Sequence, residues 1–129
     1  MKISPVTFCF GALLVCGGCA VDPAEVPGTY TVQGRQHTLD TLRVLPNGTY
    51  ARTLRSQADG RVLFRNHSTW AYVNGDLILR DYLPDSDEDF GPEAVYGLGA
   101  MTCFFPVTKR LYKPVIYTQA DGDFYYEKL

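Results

Sequence analysis

Four dipeptides cut this chain into short pieces: Asn47-Gly48, Asp59-Gly60, Asn74-Gly75 and Asp121-Gly122. Asn, Asp and Gly reach positive φ at little steric cost, which tight hairpin turns demand. Between and around them lie runs rich in Thr, Val, Leu and Tyr, residue types that suit a pleated, half-buried surface. The runs predict strands at Thr29–Gln33, Thr38–Leu45, Thr49–Ser56, Arg61–Asn66, Thr69–Val73, Asp76–Tyr82, Met101–Thr108, Pro114–Thr118 and Phe124–Lys128. Tyr50, Arg52 and Leu54 share one face of their run, and Val62 and Phe64 oppose Leu63 and Arg65. No window carries a sustained helical stripe with caps.

Turn signals 12 to 15 residues apart through the first half describe an antiparallel meander. About eight strands is the number at which a sheet closes into a small barrel. The expected fold is therefore all-β, an antiparallel meander of about eight strands in a closed or half-closed barrel, with a β-sandwich as the alternative. The 129 residues suit one domain. Residues 1–18 read as a signal peptide, 19–28 as a modified cysteine and tether containing Pro23 and Pro27, and 29–129 as the β-domain.

The signal reading rests on order. Met1-Lys2 gives a short positive start, Ile3 to Val15 is uncharged and mostly apolar, and Gly17-Gly18 precedes Cys19. The apolar run falls short of the roughly 20 residues a membrane-spanning helix needs, and Pro5 and Gly11 weaken it further. The stretch Leu13-Leu14-Val15-Cys16-Gly17-Gly18-Cys19 resembles a bacterial lipobox, in which the final cysteine is acylated and becomes the first residue. The third position before that cysteine is usually Leu, Val or Ile and here is Cys16; an ordinary cleaved signal and an uncleaved or cytoplasmic form are the alternatives. Ala20 follows, without the Asp that favours inner-membrane retention in enteric bacteria, so the expected address is the periplasmic face of the outer membrane. Processing would remove Cys9 and Cys16 and leave Cys103 as a lone thiol in an apolar run, expected as a small buried hydrophobe.

Val26-Pro27-Gly28-Thr29-Tyr30, Leu42 to Tyr50, Ser68-Thr69-Trp70, Leu77-Ile78-Leu79 and the closing Tyr125-Tyr126-Glu127-Lys128-Leu129 resemble small bacterial lipoproteins with a lipocalin-like β-meander domain. One departure is Ser68, where that group usually carries Gly. The group has no established activity, so the resemblance implies fold and address alone.

Catalytic motifs are missing from the sequence. The densest acidic cluster is Asp81, Asp85, Asp87, Glu88, Asp89 and Glu93. Asp85, Asp87 and Asp89 have the alternate spacing that opens a calcium loop, but the sixth position is Phe90 and the twelfth Tyr96, where that loop needs Gly and Glu. The expectation is a solvated loop, with a partner or weak cation site as the functional alternative. His37 and His67 lack metal-ligand spacing and read as surface residues. No nucleophile elbow supports a Ser-His-Asp arrangement, and no cofactor is expected.

A net charge of −2 excludes general nucleic-acid affinity. The charge is uneven: seven Arg against three Asp between Arg35 and Arg80, then nine acids against four bases from Asp81 onward. The basic turn Lys109-Arg110-Leu111-Tyr112-Lys113 reads as a charged hairpin tip, with lipid headgroups or anionic polymer as its functional partner. Nine tyrosines suit either a core or a ligand pocket. The sequence thus predicts a non-enzymatic envelope lipoprotein, held to the bilayer through acylated Cys19, whose β-domain binds a protein, an envelope component or a small apolar ligand. The alternative is an inhibitor or immunity protein that sets its acidic 81–93 loop against an envelope hydrolase.

Overall fold

The computed structural model describes residues 21–33, 35–83, 100–118 and 125–129. Eight antiparallel strands follow in chain order: β1 (Gly28–Gln33), β2 (Thr38–Val44), β3 (Thr49–Ser56), β4 (Val62–Val73), β5 (Asp76–Tyr82), β6 (Met101–Arg110), β7 (Lys113–Tyr117) and β8 (Tyr125–Lys128). Each pairs with the next, and β8 returns to β1 from Tyr30↔Lys128 to Gln33↔Tyr125, closing the barrel. Closure pairs the two edges that a sandwich would leave open.

The alternation of the sequence sets the inside. Thr38, Asp40, Leu42 and Val44 of β2 and Tyr50, Arg52 and Leu54 of β3 are buried. Tyr30, Leu42, Val44, Tyr50, Leu77, Leu79, Tyr82, Phe105, Val107, Ile116 and Tyr126 pack into one core, with Val32, Trp70, Tyr72 and Cys103 against it. The described tyrosines therefore divide: Tyr30, Tyr50, Tyr82 and Tyr126 are buried in the lumen, while Tyr112 stands 93% exposed.

Two expectations from the sequence are corrected. Arg61–Asn66 and Thr69–Val73 belong to one strand, β4, which runs unbroken through His67, paired with Ala51. The strand continues through Asn66-His67-Ser68 because β5 satisfies its polar side chains. The Asn66 amide donates to the Asp81 carbonyl at 2.9 Å, and the Ser68 hydroxyl donates to the Asp81 carboxylate at 2.8 Å. Irregularities lie instead at Leu54/Arg55 and between Leu79 and Tyr82, where Asp81 adopts φ 54°. Asp is among the side chains that tolerate this left-handed conformation.

The second correction concerns the tether. Val21 and Val26 are buried in the core, and Pro23–Glu25 forms a 3-10 turn capped by the Asp22 side chain. Two valines five apart with an Asx cap between them form a plug, not a linker. The Tyr72 hydroxyl donates to the Val21 carbonyl at 3.0 Å, the Tyr30 hydroxyl to the Val26 carbonyl at 2.5 Å, and the Lys128 ammonium to the Glu25 carbonyl at 2.6 Å. This plug is the floor of the barrel.

The meander places its connections at two ends. With the plug at the floor lie the turns after β2, β4 and β6. At the opposite end, the rim, lie the connections after β1, β3, β5 and β7.

Candidate functional site

The rim half of the lumen contains a buried ion pair. Asp40 of β2 and Arg52 of β3 sit two positions off register, since Asp40 faces Leu54 and Leu42 faces Arg52. They are 2% and 0% exposed. Arg52 Nη2 donates to Asp40 Oδ2 at 2.7 Å and Nε to both carboxylate oxygens at 3.1 and 3.2 Å. Arg52 Nη1 donates to the Leu83 carbonyl at 2.5 Å. The Tyr126 hydroxyl of β8 reaches across to donate to Asp40 Oδ1 at 2.9 Å, and the Tyr82 and Tyr126 hydroxyls stand 3.1 Å apart. The guanidinium carbon lies 4.4 Å from the Tyr82 ring centroid and 5.1 Å from that of Phe64.

The electrostatics follow from this enclosure. Burial opposes the Arg52 charge, but Tyr126, Tyr82 and Asp40 overcome that opposition and hold it protonated well above the ordinary range. Burial first, then the neighbouring Asp40, pushes the Tyr126 hydroxyl well above 10. Arg52 is thus a permanent cation whose donors are spent on Asp40, Leu83 and the tyrosine network. The arrangement resembles a structural clamp: it ties β2, β3, β5 and β8 together at the depth where an apolar ligand would otherwise lie.

Arg35 carries the network outward. Its Nη2 lies 3.6 Å from Asp40 Oδ2, and its Nη1 donates to Thr38 Oγ1 at 3.1 Å. Next to it, the β3–β4 connection is fastened to the β1–β2 connection by Gln57. The Gln57 side-chain amide donates to the Arg35 and Thr38 carbonyls at 3.0 and 2.9 Å, and its backbone N–H donates to the His37 carbonyl at 3.0 Å. Beside this seam is an open cleft of about 400 Å³ lined by Gln36, His37, Ser56, Gln57, Arg61 and Leu63. Its donors and acceptors suit a polar partner, and its size is in the range of a ligand or side-chain subsite.

Of the residues singled out in the sequence, His37 borders this cleft and is exposed. His67 is exposed on the outer wall. Cys103 packs against the core, and burial pushes its thiol up despite the nearby Arg52 charge, which is unsuited to nucleophilic work. Asp85, Asp87, Asp89 and Cys19 lie outside the described residues. Among the described residues no three His, Cys, Asp or Glu side chains gather to hold a metal ion. The Arg52–Asp40 pair and the rim cleft were missed in the sequence. The signal for the pair was present: Arg52 and Asp40 each fall on the inward phase of adjacent strands.

Comparison with family models, with curated proteins and with solved structures gives no match. The functional reading therefore rests on the barrel itself.

Proposed function

We propose that this chain is an envelope lipoprotein, anchored through Cys19, whose barrel is a non-enzymatic module that binds a protein or polar envelope component at its rim. The observation that carries this reading is the filled lumen. Fully buried side chains occupy the interior from the floor to the Arg52–Asp40 clamp. A small apolar ligand would have to displace a desolvated ion pair, while the cleft at the rim is open and offers the polar side chains of Gln36, His37, Ser56, Gln57 and Arg61 beside Ala58 and Leu63. The place of Val21 supports the same reading. Cys19 is two residues from Val21, a reach of about 7 Å, and Val21 belongs to the floor. Anchoring at Cys19 turns the rim away from the bilayer and toward a partner.

A photo-crosslinking residue tests this reading when placed at Arg61 on the rim and at Arg43 on the outer wall. Capture of a discrete envelope partner from position 61 and not from position 43 is expected. Equal capture from both, or none from position 61, contradicts it.

The inhibitor reading keeps one support. β5 ends at Tyr82 and β6 begins at Met101, both at the rim, so the segment bearing Asp85, Asp87 and Asp89 is joined to the barrel at the proposed binding end. Replacing these three aspartates together by asparagine separates the readings: loss of partner capture favours the acidic loop, and retention favours the cleft.

A further inference from the structure

The floor carries its own exposed feature. The turn between β6 and β7 is two residues long, Leu111-Tyr112, flanked by the pair Arg110↔Lys113. Both residues take positive φ, 53° and 69°, the conformation of a type I′ hairpin turn, which favours Asn-Gly. The neighbouring floor turn does use Asn74-Gly75, at φ 53° and 85°. At the β6–β7 tip the chain instead holds two bulky side chains in a left-handed conformation and exposes them by 86% and 93%. Nothing in the packing calls for them.

The tip is tied to the plug. Lys109 Nζ lies 3.0 Å from Glu25 Oε1, which fixes the β6–β7 hairpin beside the turn that follows Val21. Arg110 is likewise held in place, its guanidinium donating to the Tyr125 hydroxyl at 2.8 Å and lying 5.2 Å from that ring centroid. An apolar-aromatic tip flanked by Lys109, Arg110 and Lys113 thus stands at the end of the barrel where the chain leaves toward Cys19.

We propose that the Leu111-Tyr112 tip is a second membrane contact, which seats in the headgroup layer of an anionic bilayer and fixes the barrel floor-down on the surface. This rests on the anchoring of Cys19 proposed above. A Leu and a Tyr suit that layer, the Tyr placing its ring in the interface and its hydroxyl in water. Of the basic residues beside the tip, Lys113 is the one these contacts leave for anionic headgroups, with Arg110 next to it on Tyr125 and Lys109 paired to Glu25. A single anchor point with a short reach leaves a barrel free to tumble about its tether, and a second contact removes that freedom, presenting the rim to partners at a fixed orientation.

The test uses the acylated full chain, matured from its own signal and reconstituted into vesicles of phosphatidylethanolamine and phosphatidylglycerol containing brominated lipid. Three proteins are compared: wild type, whose sole tryptophan is Trp70, Tyr112→Trp at the tip, and Ala58→Trp at the rim. Tyr112→Trp should shift to the blue and lose roughly half or more of its added emission, as for a ring seated about 5–10 Å into the headgroup boundary. The emission added by Ala58→Trp should be unquenched. An acylated, vesicle-bound protein whose tip tryptophan escapes quenching, or is quenched no more than the rim tryptophan, overturns the docking and leaves the anchor standing. Absence of acyl mass on Cys19 removes the anchor, and the proposal falls with it.

Discussion

Removing the Asp40 carboxylate is the most severe single change the structure offers. In Asp40→Ala, Arg52 remains in the lumen at zero exposure, having lost the partner of its Nε and Nη2 donors, with the Leu83 carbonyl and Tyr126 hydroxyl still within reach. Leaving one member of a buried ion pair without its counter-charge costs about 3–5 kcal/mol, and the whole domain is worth only about 5–15 kcal/mol. At roughly 4 °C per kcal/mol for a domain of this size, Tm should fall by about 12–20 °C. Removing both charges should be milder. Asp40→Leu with Arg52→Met fills similar volume and no longer strands Arg52; what remains is the unsatisfied Leu83 carbonyl, at about 1–2 kcal/mol, and the loss of the longer 3.6 Å contact between Arg35 and Asp40. Urea unfolding followed by Trp70 fluorescence and far-ultraviolet circular dichroism measures both variants and the coupling between the sites. An Asp40→Ala cost below about 1 kcal/mol, or a double variant as unstable as the single one, would refute the clamp.

Two further outcomes are expected. Burial raises the Tyr50 hydroxyl to about 12 and also raises Tyr30 and Tyr126 above 10, so the folded state holds these protons longer than the unfolded chain. Their stabilisation is fully present below pH 10, and the barrel should lose at most about 1.4 kcal/mol per pH unit for each group as pH rises from there toward 12. Urea midpoints across that range check this, and a Tyr50→Phe variant should flatten the slope. Separately, Leu111→Asn with Tyr112→Gly supplies the residues the tight turn prefers and should raise stability by about 1–2 kcal/mol, seen as a higher urea midpoint at unchanged m. No gain would mean the tip carries no strain.

The barrel was legible because its signals are local. Asn74-Gly75 fixes a two-residue turn, Leu42 and Val44 alternate with Thr41 and Arg43, and the count of such runs reaches the number at which a sheet closes. The break expected at His67 was not, because Asn66 and Ser68 look like a loop until Asp81 is known to face them across the sheet. That partner is a non-local fact. The plug misled for a similar reason: Pro23 and Pro27 carry the signature of a linker, and only the apolar floor waiting for Val21 and Val26 gives them a structured role.

The candidate site was harder to read. Asp40 and Arg52 are 12 residues apart and Tyr126 is 74 beyond Arg52. Only strand register and barrel closure bring the three together. Charged residues on an inward phase argue against burial when taken singly, since a lone buried charge is prohibitive. The pair is acceptable because each satisfies the other. The rim cleft depends on how two connections pack, and hairpin sequence alone does not specify that.

Intact mass spectrometry of the protein extracted from a bacterial envelope tests the central claim most directly. The account predicts a chain that begins at Cys19, carries acyl mass on that residue, and retains no small molecule in native conditions. A chain that still begins at Met1, a Cys19 without lipid, or a reproducible small-molecule adduct surviving on the folded barrel would contradict it.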